Sequence, residues 1–150
     1  MEVRPLTPEE AREIATWHYP GRYASYDEDR AFYAEDGFWA VHREEELVGG
    51  CCFGEGARVP GVEEEPGTLD IGYGMRPDLM GRGLGREFVG SIVAFARAEF
   101  SERRLRVVIL EWNGRSRAAA RSVGFEEDGT FESTEGTFVV MTFDVAPTSG

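Results

Sequence analysis

The stretch from Thr68 to Phe100, TLDIGYGMRPDLMGRGLGREFVGSIVAFARAEF, constrains the fold more than any other part of the chain. Thr68 to Met75 reads as a strand. A proline-marked turn follows, then Gly81, Gly83 and Gly85. From there Leu84, Phe88, Ile92, Phe95, Ala96 and Phe100 recur at intervals of three or four, the spacing of a helix with one face on a core. Glycine lets the backbone approach a ligand with no Cβ in the way. A helix start offers unpaired N–H groups and the positive end of the dipole, which suits phosphate. Arg82 and Arg86 add positive charge there. The stretch therefore reads as a pyrophosphate cradle. Gly81-x-Gly83-x-Gly85 differs from the G-x-G-x-x-G of dinucleotide folds and lies mid-chain with no second βαβ half, so nicotinamide binding is a minor alternative.

The flanking elements suggest one α/β domain over residues 1–150, with residues 145–150 as a loose tail. Val3 to Leu6 reads as a first strand. Thr7-Pro8-Glu9-Glu10 then reads as a helix start, with Thr as N-cap and Pro at the first helical position. Phe38–Arg43 and Leu47–Phe53 read as a hairpin turning at Glu44–Glu46. Residues 54–67 are Gly-, Pro- and Glu-rich and read as a loop, with Glu63, Glu64 and Glu65 solvated. Leu105 to Trp112 is a near-continuous apolar run, expected for a strand buried on both faces. Asn113 opens a short Ala- and Arg-rich helix closed by Gly124-Phe125, and 130–133 with 137–145 read as a final hairpin.

Composition excludes several chemistries. Every one of the 16 basic residues is Arg, so there is no Walker A lysine and no Schiff-base lysine. Cys51 and Cys52 are adjacent and would face opposite sides of a strand, which disfavours a disulfide or a thiolate metal pair. His18 and His42 have no ligand spacing, so no metal is expected. The net charge of −12 disfavours nucleic acid and favours cationic partners such as amines. No apolar run approaches the ~20 residues needed to span a bilayer. The N-terminus lacks an apolar signal core, and a cytoplasmic location is expected. Trp17, Tyr19, Tyr23 and Tyr26, within an aromatic stretch reaching Tyr33, suit either core packing or the wall of a substrate pocket.

MRPDLMGRGLGREF resembles the acetyl-CoA signature of the GNAT superfamily of N-acetyltransferases, R/Q-x-x-G-x-G/A, and NGRSRAAARSVGF resembles that superfamily's closing segment. The resemblance covers Val3 to Val145. It implies a single mixed, centrally splayed sheet of about six or seven strands flanked by about four helices. It also implies an N-acetyltransferase moving an acetyl group from acetyl-CoA to a primary amine of a small molecule or peptide, by direct attack in a ternary complex and with a possible homodimer. Backbone and side chains at Tyr73, Gly74, Met75, Arg76, Gly81, Arg82, Gly83, Leu84, Gly85, Arg86, Asn113 and Ser116 would hold the cofactor. Two positions depart from the pattern. Met80 stands where the signature has Arg or Gln. Ala120 stands where many relatives carry a Tyr that protonates the departing thiolate, while Ser116 matches an N-x-x-S variant. Asp70 or Glu111 would act as base, and Tyr73, Tyr19, Tyr23 or a water would replace the missing acid. The missing Tyr leaves a non-catalytic acyl-CoA-binding module as the alternative.

Overall fold

The computed structural model describes residues 1–28 and 30–145. Seven strands form one mixed sheet among these residues. They are β1 (Glu2–Pro5), β2 (Phe38–Arg43), β3 (Glu46–Phe53), β4 (Thr68–Met75), β5 (Arg104–Leu110), β6 (Glu126–Ser133) and β7 (Gly136–Asp144), in the spatial order β1-β2-β3-β4-β5-β7-β6. Three α-helices accompany them: α1 (Pro8–Ile14), α2 (Gly85–Glu99) and α3 (Gly114–Val123). Four short 3-10 segments complete the described elements, of which Gly21–Tyr26 and Gly54–Ala57 bear on the site. None of the described helices is long and apolar enough to cross a membrane.

All neighbouring strands run antiparallel except β4 and β5, the one pair joined through a crossover helix. That pair is short. Only Thr68↔Arg104, Leu69↔Leu105 and Asp70↔Arg106 are in register. β4 remains paired with β3 from Ile71 to Met75, and β5 with β7 through Leu110. The sheet therefore splays open at its centre, at its one parallel pair.

Local chemistry explains the elements. Thr7 and Glu10 form a reciprocal capping box at α1, with Thr7 N–H donating to Glu10 Oε1 at 3.0 Å and Glu10 N–H donating to Thr7 Oγ1 at 3.1 Å. α2 buries Phe88, Val89, Ile92, Val93 and Ala96 on one face of the sheet, against Val41, Val48, Leu69, Ile71, Leu105 and Val107. α1 covers the opposite face with Leu6, Ala11, Ala40 and Leu47.

Most strand ends differ from the sequence reading by a residue or two, and the larger departures are these. β5 ends at Leu110, so Trp112 lies beyond the strand, and alternate β5 residues are only half-buried. β6 starts at Glu126 rather than Thr130: its acidic first half has no apolar alternation and is held by backbone pairing to β7 across a bulge between Glu127 and Thr130. The loop 54–67 is tied to the sheet, because Arg106 Nη2 donates to the Glu63 carbonyl at 2.7 Å and Arg106 Nη1 reaches Glu65 Oε2 at 3.2 Å. Val145 donates to the Arg103 carbonyl and packs against the core, while residues 146–150 of the expected tail lie outside the described residues.

Candidate active site

A cleft of about 630 Å³ occupies the splay between β4 and β5 and runs to the start of α2. One bank is the open edge of β4. Arg76 N–H donates to the Val48 carbonyl of β3 at 2.8 Å, and the pairs Gly50↔Gly74 and Cys52↔Gly72 face β3 in the same sense. Backbone direction alternates along a strand, so the N–H and C=O of Tyr73 and Met75 face the other edge, where β5 has diverged. That edge offers an extended ligand a free strand to pair with.

The other end of the cleft is the first turn of α2. α1 and α3 start with side-chain caps, but Leu84 provides none to α2, and the first bond within this helix is Phe88 N–H to the Leu84 carbonyl. The N–H groups that precede it have no cap of their own, beside Gly81 and Gly83, which adopt φ of 73° and 78°. Such angles strain any residue with a Cβ. Gly85 permits a close approach of another kind: a Cβ there would stand 2.9 Å from Ala119 Cβ on α3. Arg86 lines the cleft, and the Arg115 guanidinium packs against Gly81, within 3.5 Å of where its Cβ would stand. This end is a backbone nest with guanidinium groups around it, a fit for a diphosphate. Arg115 is a cradle residue that the sequence reading missed. Its signal was its place two residues after Asn113, at the start of the closing helix.

The aromatic segment roofs the splay and bonds to both banks. Tyr19 Oη donates to the Met75 carbonyl at 2.7 Å, and Asn113 Nδ2 donates to Tyr26 Oη at 2.9 Å. Asn113 Oδ1 meanwhile accepts from Ser116 N–H at 3.2 Å and caps α3. Tyr23 stands edge-on to Trp112, with ring centres 5.0 Å apart, and Arg22 lies over the Trp112 ring at 4.3 Å. Trp17, Tyr19, Tyr23 and Tyr26 all line the cleft. Burial raises the ionisation of Tyr19 and Tyr26 above the usual phenol range.

Tyr73 stands edge-on to Phe88, and its hydroxyl is buried without a hydrogen-bond partner of regular geometry. Burial pushes its pKa up to about 12, against a smaller downward pull from the nearby Ser116 hydroxyl. Cys51 and Cys52 also line the cleft as free, buried thiols. Burial raises both, Cys52 to about 12. Neither is a thiolate nucleophile at neutral pH.

Several sequence candidates stand elsewhere. Asp70 is on β4 but faces away from Tyr73, buried in a two-arginine clamp. Arg58 Nε donates to Oδ2 at 2.8 Å, Arg106 Nε to Oδ1 at 2.6 Å and Arg106 Nη2 to Oδ2 at 3.1 Å. Its carboxylate is committed to anchoring the loop that precedes β4, and it does not line the cleft. Glu111 is exposed past the end of β5 and is also absent from the lining. Neither carboxylate is placed to serve as base. The Arg76 side chain turns to the β2–β3 hairpin, bonding Glu46, Asp78 and the Leu47 carbonyl, so only its backbone belongs to the site edge. Arg82 is exposed beside the cradle and outside the lining. Met75, Gly81, Gly83, Leu84, Gly85, Arg86, Asn113 and Ser116 are brought together as read. Glu28 is a lining residue that the sequence reading passed over.

A family model described as an acetyltransferase (GNAT) domain matches residues 1–126. Among solved structures, the chain is similar to AAC(6')-Ib in complex with ribostamycin and coenzyme A, with a TM-score of 0.76 at 17% identity, covering 95% of this chain and 92% of that one. It is similar to the ribosomal-protein-S5-alanine acetyltransferase from Vibrio fischeri, with a TM-score of 0.71 at 14% identity, covering 99% and 94%. A spermidine N-acetyltransferase chimera from Vibrio cholerae and hSSAT gives a TM-score of 0.70 at 13% identity, covering 95% and 93%. No curated protein sequence matches the chain.

Proposed function

The chain belongs to the GNAT acetyltransferase family, and from that premise we propose that it is an N-acetyltransferase that transfers acetyl from acetyl-CoA to a primary amine of a small molecule or peptide. The observation that carries this reading is the join, in one cleft, of an uncapped helix start and an open strand edge. The first suits a diphosphate and the second an extended amide-bearing arm. Acetyl-CoA, as substrate, supplies both groups and an acyl carbon activated as a thioester.

In this reading the Gly81–Arg86 backbone holds the diphosphate, assisted by Arg86 and Arg115. The open edge of β4 aligns the arm, and the Met75 N–H polarises the thioester carbonyl as an oxyanion-hole donor. Asn113 fixes the start of α3 and holds Tyr26 over the cleft. The residue replacing the missing Tyr, Ala120, is fully buried and has no proton to give. Tyr73 Oη, with the Ser116 hydroxyl near it, is the donor for the departing thiolate; like any phenol it is protonated at neutral pH, and burial pushes its pKa further up, to about 12. The two cleft thiols are likewise held protonated, which supports direct attack by the amine over an acetylated enzyme.

The test is calorimetry with acetyl-CoA, followed by release of free CoA thiol across a panel of amines. Binding together with amine-dependent release is expected. Tight binding with no release on any amine would favour the acyl-CoA-binding module, the reading that the buried Ala120 favours. Absence of binding would overturn both. Radiolabelled acetyl found covalently attached to the protein without acceptor would overturn direct attack.

A further inference from the structure

The reaction needs a neutral amine, and an ammonium ion of pKa near 10 arrives protonated. Neither Asp70 nor Glu111 reaches the cleft. Among the described lining residues one carboxylate remains, Glu28, which follows the aromatic segment.

Its neighbours locate it. The Glu28 charge is the second cause, after burial, of the raised Tyr19 hydroxyl, and it also acts on the Cys52 thiol. Tyr19 is bonded to the Met75 carbonyl, at the open edge of β4. Cys52 is on β3, and its Sγ stands 3.0 Å from where a Cβ of Gly72 would be. Glu28 is therefore near β4 between Gly72 and Met75, on the sheet face opposite Tyr73. Gly72 and Gly74 put no side chain on that face, which lets Cys52 Sγ and Ala57 close on Gly72 and Tyr19 Oη close on Gly74. Tyr19, Tyr23 and Trp17 line the same cleft with aromatic surface suited to a cation.

Resting on the acetyltransferase reading above, we infer that Glu28 is the acceptor-recognition and proton-accepting carboxylate, and that the acceptor is an amine bound as its ammonium ion. The ammonium gives one proton to the Glu28 carboxylate, leaving a neutral amine. The nitrogen lone pair forms the bond to the acyl carbon, and the carbon–sulfur bond breaks to leave a thiolate. Glu28, an exposed residue, passes the first proton to solvent and takes the nitrogen's second proton as the amide forms. The thiolate takes a proton from Tyr73 Oη, which regains one of the two released, so that one proton goes to solvent in net.

The experiment compares unmodified protein with Glu28→Gln and Glu28→Asp, using benzylamine, an ammonium ion at neutral pH, and aniline, a neutral amine. Acetyl-CoA affinity and the binding of benzylamine to the CoA-loaded protein are measured by calorimetry, and thiol release by steady-state kinetics. Glu28→Gln is expected to leave acetyl-CoA affinity unchanged and to weaken benzylamine binding and kcat/KM roughly ten- to hundredfold, the loss of one charge-assisted contact. Any aniline rate is expected to change less than about threefold, and Glu28→Asp to restore part of the benzylamine loss. Unchanged benzylamine binding and rate in Glu28→Gln, or equal losses on both amines, would overturn the assignment while leaving the acetyltransferase reading intact. Failure of the unmodified protein to bind acetyl-CoA would overturn the reading beneath it, and failure to bind benzylamine when CoA-loaded would overturn the ammonium-bound acceptor.

Discussion

Replacing Gly83 by Asp tests the diphosphate cradle with little cost to the fold. A Cβ at this position meets nothing within 4 Å, so no clash is introduced. The φ of 78° costs a non-glycine residue about 1 kcal/mol, and Asp tolerates this region better than most. For a domain of this size that shifts the melting point by about 2–4 °C. The effect on the ligand is larger. One carboxylate about 5 Å from each of two phosphate charges, at an effective dielectric between about 20 and 80, is repelled by about 2–7 kcal/mol in total. Acetyl-CoA affinity should fall at least about thirtyfold. Gly83→Asn is the control: it has nearly the same shape and strain but no charge, and should lose less than about tenfold. Calorimetry gives both affinities, and thermal unfolding gives both stabilities. Equal affinities for the Asp and Asn variants, or no loss in either, would refute a diphosphate at this helix start.

Asp70→Asn leaves Arg58 and Arg106 facing each other with only Glu65 to compensate, and all three clamp side chains are at most 20% exposed. Loss of about 3 kcal/mol is expected, read as a melting point lower by roughly 6–12 °C, with acceptor KM raised because Gly56, Ala57 and Val59 of the anchored loop line the cleft; a variant as stable as the parent would show that the clamp is not structural. Tyr26→Phe removes the partner of Asn113 Nδ2, and acceptor KM should rise more than acetyl-CoA Kd; equal rises would place Tyr26 on the cofactor path instead. In an ultraviolet titration, Tyr19, Tyr26 and Tyr73 should ionise later than a free phenol of pKa about 10, and because the folded pKa is the higher one, stability should be lost as pH rises from about 10 toward the folded value of about 12 for Tyr73. All tyrosines ionising together near pH 10 in the folded protein would contradict that burial.

The cradle was legible because its elements are local. Thr68–Met75 is the strand the sequence indicated, and the helix after the glycines runs from Gly85 to Glu99 with Phe88, Ile92 and Ala96 on its buried face. The capping residues Thr7 and Asn113 were legible for the same reason, since a cap bonds within three residues. The carboxylates were not. Asp70 shares a strand with Tyr73, but three positions of alternation put it on the opposite face, and its partners come from 12 and 36 residues away. Glu126–Gly129 carries no strand pattern, because backbone pairing at a sheet edge asks little of exposed side chains.

Periodicity, capping and turn chemistry are properties of a few consecutive residues, so the chain by itself determined most of its strands, its long glycine-led helix and the place of the proposed diphosphate cradle. Which acid reaches the reacting atoms depends on how far β4 and β5 stay paired and on where the aromatic roof comes down. Those are contacts between distant segments, so only the tertiary structure turned Asp70 into a loop anchor and brought Glu28 to the cleft.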